Sequence, residues 1–333
     1  MTGAVAGPIL GLDVGGTKVS ALLLDGADAV LAHEVATTPS EDLAQGLAVL
    51  GSRTIAAAGL GRGELLAIGV GSPGSVDVAS GRVRFAVNLE PGDTPVGAFL
   101  ADRLGAPCFV EHDVRAAARY LATLEPECRA LGYLAVGTGV AAGIVMDGEP
   151  VRGAAGLAGE IGHVVADPAG PRCGCGLDGC LEAIVSGPAI ARRAAAARAA
   201  ARPGKTVLPP DPTAVDVYRA AAAGDPVARS LATDVGRVLA RAIRGLVLAF
   251  GLDRLVVGGG VSRAGAAFFN PILRALDEER ARSVLVREVV RPDVVRLLPP
   301  EVDAGARGAI AVARAGIRAG GPRVAAPERK EGG

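Results

Sequence analysis

Residues 9–24, Ile9-Leu10-Gly11-Leu12-Asp13-Val14-Gly15-Gly16-Thr17-Lys18-Val19-Ser20-Ala21-Leu22-Leu23-Leu24, decide the fold. Two apolar runs, Ile9 to Val14 and Val19 to Leu24, flank a glycine turn, so the stretch reads strand, tight turn, strand. The turn therefore lies between two strands and does not open a helix. Backbone N–H groups freed by Gly15 and Gly16 can cradle phosphate oxygens. Thr17 adds a hydroxyl donor, Lys18 adds a charge, and Asp13 can hold a Mg2+ ion through water. The same residues also admit a type I′ hairpin turn, in which glycine serves only the dihedral angles.

Outward from this stretch, a third apolar segment, Ala29 to Val35, follows the Asp25-Gly26 turn signal and completes a meander. Ser40 is placed to cap a helix from Glu41 towards Ala58, with Glu41 and Asp42 in its first turn. Leu65 to Val70 reads as a buried strand running into Gly71-Ser72-Pro73-Gly74. Phe109 to Glu111 is a short strand and Val114 to Thr123 an Ala-rich helix. The strand, glycine turn, strand order then returns at Tyr133 to Val136, Gly137-Thr138-Gly139 and Ala142 to Met146, which hints at an internal duplication. Helices are expected at about Leu181 to Ala201, Thr213 to Ala222 and Val227 to Phe250, and a strand at Leu255 to Val257 that ends in Gly258-Gly259-Gly260. The polar segment Pro322 to Gly333 reads as disordered.

Two stretches imitate nucleotide motifs. Gly69-Val70-Gly71-Ser72-Pro73-Gly74 has the spacing of a dinucleotide fingerprint, but that motif must open a helix, and Ser75 to Val78 reads as extended. Gly204-Lys205-Thr206 resembles the end of a P-loop, but Ala199 stands where the earlier glycine is needed.

The second informative stretch is His163, nine residues, Cys173-Gly174-Cys175, four residues, Cys180. Thiolate and imidazole are the ligands zinc prefers, and three Cys with one His form a closed tetrahedral set. Glycines at 174, 176 and 179 let the backbone aim three sulfurs at one point. A disulfide between two of these cysteines is the competing reading. It requires an oxidising compartment, whereas Met1 to Leu12 lack Lys and Arg and no apolar run reaches membrane-spanning length. A cytoplasmic protein with a metal at this cluster is the expectation. Cys108 and Cys128 read as small hydrophobes. Glu160 and His163 are three apart and share a face on a helical turn. With one ring nitrogen on zinc, His163 keeps the other N–H for a ligand.

The chain has 333 residues, enough for two domains, and 35 basic against 35 acidic side chains. With zero formal net charge there is no basic field to attract nucleic acid or an anionic membrane. With 3% aromatics and no Trp, the core is built of Ala, Val, Leu and Ile. Asp113 lies where the strand Phe109 to Glu111 meets a helix. There it suits either a carboxylate facing a crevice or a helix N-cap.

Taken together, these motifs resemble the ROK family (repressors, uncharacterised open reading frames and sugar kinases), over about residues 9 to 312. The resemblance rests on Asp13 to Lys18 and on Gly156 to Glu182, the latter joining the zinc ligands to flanking acids. Val256 to Ser262 resembles the family's adenosine-side turn, and Gly71 to Asp77 its sugar-side loop. The resemblance implies an α/β, two-lobed, actin-like ATPase (ribonuclease H-like) fold with mixed sheets flanked by helices. The small lobe would be residues 1–113 plus about 304–321, and the large lobe 114–303, carrying structural Zn2+ on His163, Cys173, Cys175 and Cys180. The sugar would sit between lobes that close on it.

It further implies ATP-dependent phosphorylation of a hexose, glucose foremost, with Mg2+. Asp113 would be the base, and Gly74, Asn88, His112, Asp113, Glu160, His163 and Glu182 would meet the sugar. ATP would lie on Asp13, Gly15, Gly16, Thr17, Lys18, Gly137, Thr138, Gly139, Gly258 and Gly259. A homodimer or higher homo-oligomer is expected. An N-acetylhexosamine kinase and a non-catalytic sugar-binding protein are the alternatives. A DNA-binding repressor is disfavoured because only 12 residues precede Asp13. The chain departs from the family pattern at Glu111-His112-Asp113-Val114-Arg115, where the family usually has Glu-Asn-Asp-Ala-Asn. His112, bulkier than an amide and able to titrate near neutrality, thus stands where an asparagine normally contacts the sugar. Arg115 is expected to face away from it.

Overall fold

The structure, a computed structural model, describes residues 7–85, 93–202 and 204–320. Asn88 and the segment 322–333 lie outside the described residues. The chain divides into two compact units: Met1–Glu125 with Gly148–Ala158 and Asp303–Gly333, and Pro126–Asp147 with Gly159–Val302. Elements are numbered along the chain.

The first unit contains β1 (Ile9–Val14), β2 (Lys18–Leu24), β3 (Val30–Thr37), α1 (Leu43–Ala57), β4 (Ala67–Ser72), β5 (Ser75–Asp77), β6 (Arg82–Phe85), α2 (Val96–Leu104), β7 (Cys108–His112) and α3 (Asp113–Leu124). The short β10 (Glu149–Pro150) and α10 (Ala304–Arg318) complete it. Its sheet runs β3-β2-β1-β4-β7. β1 is antiparallel to β2, whereas β1, β4 and β7 are mutually parallel neighbours. Successive strand residues point to opposite faces. Leu10, Leu12, Leu23 and Val70 pack with Leu47 of α1 and Leu100 and Leu104 of α2. Ile9, Leu22 and Leu24 pack with Ala306, Ile310 and Ala313 of α10. Both faces are therefore covered, which explains why these strands are continuous apolar runs and do not alternate.

The second unit contains β8 (Ala130–Val136), β9 (Val140–Met146), α4 (Leu181–Val185), α5 (Gly187–Ala200), α6 (Ala214–Ala222), α7 (Pro226–Phe250), β11 (Arg254–Gly258), α8 (Ala266–Arg282), α9 (Val284–Val289) and β12 (Val295–Leu297). Within it the strands run β9-β8-β11-β12, with β9 antiparallel to β8, and β8, β11 and β12 parallel. An antiparallel hairpin followed by two parallel neighbours is the plan of the first unit again, so the hinted duplication holds at the level of topology. Leu231, Val235, Leu239, Ile243 and Leu246 form the buried stripe of α7, spaced as a helix face requires.

Several local expectations are corrected. The N-cap of α1 is Asp42, which accepts from Gln45 N–H, and not Ser40. The helix expected over Leu181 to Ala201 is two helices. Ser186 is extended, accepts from Ala189 N–H and caps α5, whose first turn holds Gly187-Pro188; proline suits a first turn, where its missing N–H costs no helical bond. Thr213 lies outside α6 and caps it through a reciprocal pair with Asp216. Thr206, from the P-loop imitation, donates to Asp225 at 2.7 Å, the N-cap of α7.

The division between units also differs from the boundary drawn at residue 113, because α3 groups with the first unit. The reason is a close crossing of α3 on α10. A Cβ at Gly308 would lie 2.6 Å from the Ala116 carbonyl carbon, so the two backbones meet where only glycine fits. Among the described residues, no helix is long and apolar enough to cross a membrane.

Candidate active site

In each unit the candidate residues collect at the carboxyl ends of the parallel strands, the edge where ligands bind in open α/β sheets. In the first unit β1 ends at Val14 and leads into the turn Gly15 to Thr17. β4 ends at Ser72 and leads to Gly74. β7 ends at His112, followed at once by Asp113. Register pairs Asp13 with Gly71 and Ser72 with His112. A Cβ built on Gly71 would lie 3.4 Å from Asp113 Cα and 3.6 Å from Asp13 Oδ1. Three segments separated in sequence thus place the two carboxylates beside one another.

The turn after β1 is not a type I′ hairpin, since neither Gly15 nor Gly16 occupies the left-handed region. Gly15 N–H donates to the Lys18 carbonyl at 2.9 Å. Thr38, which carries no motif signal in the sequence, holds the carbonyl side. Its hydroxyl donates to Gly15 O at 2.7 Å and its N–H to Thr17 O at 3.2 Å. Gly16, Thr17 and Lys18 are exposed. Burial, followed by Asp113 and Asp303, pushes the Asp13 carboxyl up to about 7, against the opposing pull of Lys18. Asp303, the N-cap of α10, is a third acid that the sequence did not single out.

Asp113 is the first residue of α3, and the N-cap is His112. The capping alternative for Asp113 is thereby removed. Its Oδ1 accepts from Val114 N–H at 2.7 Å and lies 3.0 Å from His112 Nδ1. Arg115 is fully buried, its side chain 1% exposed.

In the second unit the turn Gly137 to Gly139 follows β8 and the turn Gly258 to Gly260 follows β11. They lie side by side: a Cβ on Gly137 would be 3.4 Å from Gly260 N, and one on Gly259 would be 2.6 Å from Val136 N. Gly259 has φ 92° as well, so a side chain there meets both strain and collision. Glu182 Oε2 accepts from Val140 N–H at 2.9 Å and steadies the first of these turns. Thr138, Glu182, Cys173, Arg172 and Arg192 share a pocket of about 150 Å³.

His163, Cys173, Cys175 and Cys180 converge, with all four donor atoms within 4.8 Å of one another. Gly176 N–H donates to Cys173 O and Cys173 N–H to Leu177 O, forming a tight turn around Cys175. Cys180, the N-cap of α4, is brought back by an antiparallel bridge to Val165. Cys175 Sγ lies 3.6 Å from Cys180 Sγ, and Cys173 Sγ 3.7 Å from His163 Nδ1. A disulfide needs about 2.05 Å, whereas two sulfurs on one tetrahedral zinc lie about 3.8 Å apart. The donor set therefore fits a tetrahedral metal. Burial and the neighbouring thiols push Cys180 up to about 12, while the Leu177 backbone leads the effects that hold Cys175 below the usual range. A bound cation would override both. Since Nδ1 faces the sulfurs, Nε2 of His163 is turned to Glu160, 4.0 Å from its Oε2 across a 3-10 turn.

Two α/β units of like topology, each with glycine turns at the ends of its parallel strands, constitute the actin-like ATPase fold. The ROK family pattern matches residues 9–315, and the chain belongs to the ROK family. It is 31% identical over 274 residues to a glucokinase of Halalkalibacterium halodurans, covering 79% of this chain and 83% of that protein. It is also 31% identical to a glucokinase of Thermotoga maritima, over 91% of this chain and 96% of that one. Among solved structures, a ROK family glucokinase from Streptomyces griseus in complex with glucose and AMPPNP superimposes with a TM-score of 0.78 at 29% identity, covering 93% of this chain and 100% of that one.

Proposed function

We propose that this protein is an ATP-dependent hexose kinase that transfers the γ-phosphoryl group to the 6-hydroxyl of glucose or a related hexose. The observation that carries this reading is the placement of Asp113 beside Asp13 at the strand ends of the first unit, next to the Gly15 to Lys18 turn. A base and a phosphate-binding turn at one strand edge are what phosphoryl transfer asks of a protein, since the rest is positioning and charge neutralisation. The similarity to glucokinases supports the same reaction.

In this reading Asp113 accepts the hydroxyl proton and aligns the oxygen for in-line attack. The amides of the turn, Thr17 and Lys18 receive phosphate oxygens, and Asp13 holds the Mg2+ that accompanies ATP. That ion would neutralise phosphate charge and draw Asp13 into its ionised form. Gly74, Asn88, His112, Glu160, His163 and Glu182 would meet sugar hydroxyls, as the family resemblance implies. Gly137, Thr138, Gly139, Gly258 and Gly259 would serve the nucleotide. Zn2+ on His163, Cys173, Cys175 and Cys180 would be structural, since all four positions of a tetrahedron are filled by protein. It would fix the His163 ring so that Nε2 is available to a hydroxyl.

Reduced thiols in this cluster are compatible with the cytoplasmic location expected from the sequence. Homo-oligomerisation is expected from the family resemblance and is read by light scattering.

A coupled ADP-release assay across glucose, mannose, fructose, N-acetylglucosamine and N-acetylmannosamine tests the reading. Turnover highest with glucose supports it. Preference for an N-acetylhexosamine would trace to His112 in place of the usual Asn. Sugar binding without ADP release from any of the five would leave a non-catalytic sugar-binding protein.

A further inference from the structure

One buried cluster has no part in the reaction as just described. Glu111 and Arg115 are enclosed in the first unit, each side chain only 1% exposed. Arg115 Nε donates to Glu111 Oε1 at 2.9 Å. Its Nη1 donates to the carbonyl of Gly156 at 3.0 Å and to that of Ala158 at 3.3 Å. Glu111 Oε1 also accepts from His112 N–H at 2.9 Å, and Oε2 accepts from Arg152 Nε at 2.8 Å. One carboxylate thus bridges two guanidinium groups and ties together 111–115, Arg152 and 156–158.

We propose that Glu111, Arg115 and Arg152 form a positioning clamp that fixes the β7–α3 junction bearing Asp113. Asp113 lies two residues from Glu111 and two from Arg115, so both of its flanks are held by directional bonds of one network. Burial alone would raise the Glu111 carboxyl, but Arg115 and Arg152 outweigh it and hold the group below the usual range. The network therefore stays ionised.

Stability alone does not account for such a design. Taking two positive charges and one negative out of water is costly, and apolar replacements of buried ion networks are often as stable or more so. Nη2 of Arg115 is buried with no hydrogen-bond partner among the described residues, which adds to that cost. What a planar guanidinium fork supplies, and an apolar side chain cannot, is a fixed direction. A base for in-line transfer needs that, because a misplacement of about 1 Å can cost on the order of 100-fold in rate.

The activity arm of the test rests on the kinase reading; the exchange arm does not. Arg115→Lys keeps the charge and loses the fork. Arg152→Gln removes a side chain that is 38% exposed, so the core stays filled. Each full-length variant is compared with wild type for kcat and KM, and for amide hydrogen exchange over residues 109–116 and 151–158 without substrate. The clamp is supported if kcat falls about 10- to 100-fold while KM for ATP moves less than about twofold, and if exchange accelerates in both segments. It is overturned if both variants keep kcat within about twofold, or if exchange in the two segments is unchanged. A lowered melting temperature with normal kcat also overturns it and leaves a merely structural network. Should wild type release no ADP with any hexose, the kinase reading fails, and exchange in the two variants alone supports or overturns the clamp.

Discussion

Nδ1 of His112 lies 3.0 Å from Oδ1 of Asp113, although the two are neighbours in sequence. The strand-to-helix turn makes this possible: His112 is extended as the N-cap of α3, and Asp113 is its first helical residue. The ring is nearly enclosed at 5% exposure while the carboxylate is 29% exposed. Asp113 is thus the member of the pair presented outward, with the imidazole beside it.

Changing Asp113→Asn keeps the side-chain shape and removes the proton acceptor. Sugar binding, measured by calorimetry, is expected to persist. Turnover is expected to fall by about 10^2 to 10^4, the usual range for loss of a general base. Near-normal turnover would remove Asp113 from the mechanism.

His112→Asn restores the amide usual in the family and exchanges the imidazole beside Asp113. A site built around particular hydroxyls can reject their absence by as much as roughly 10^4, so the ranking of the five sugars by kcat/KM is expected to shift towards glucose. If every ratio stays within about threefold of wild type, His112 does not set specificity.

Protein prepared in metal-free buffer is expected to retain about one zinc per chain by elemental analysis, as a closed set of four protein ligands implies. Cys175 is the exposed member of the set, so Cys175→Ser perturbs little besides ligation. It should lower both zinc content and melting temperature, because metal binding is coupled to folding. Unchanged zinc content in this variant would count against the cluster as the site.

The raised pKa of Asp13 gives a pH dependence with a definite sign. Its folded value of about 7 lies above the ordinary 3.8, so the folded state holds a proton that the unfolded state releases. This contribution to stability is full below about pH 4 and is lost as pH rises towards 7. Without nucleotide, Asp13→Asn should melt higher than wild type near pH 8, and the difference should vanish towards pH 4. An advantage that grows on acidification would contradict the assignment.

Much of this was legible in the chain. The strands around Asp13 to Lys18, the second strand-turn-strand at Tyr133 to Met146, and the turn after Leu255 were readable because buried parallel strands are uninterrupted apolar runs closed by glycine. The cluster of His163, Cys173, Cys175 and Cys180 was readable from residue types and spacing. Other features escaped. α2 and α8 left no clear signal, and the break at Ser186 was hidden in an Ala-rich stretch. Thr38 and Asp303 meet the site only through folding, from positions with no motif of their own. The burial of Arg115 escaped as well, because a single arginine in a helix carries no mark of burial.

The sequence by itself determined the strand-turn-strand segments, the positions of the glycine turns and a candidate metal-donor set, and the motifs they form carried the family resemblance that implied the fold class. The segments depend on local rules: strand periodicity, the backbone freedom of glycine and the affinity of sulfur and imidazole for zinc. Only the tertiary structure decided that Asp113 is not a cap, that Asp13 sits among acids that raise its pKa, and that Glu111 is shared by Arg115 and Arg152. Each of those depends on what burial brings within a few ångströms, and that is set by strands pairing across tens of residues.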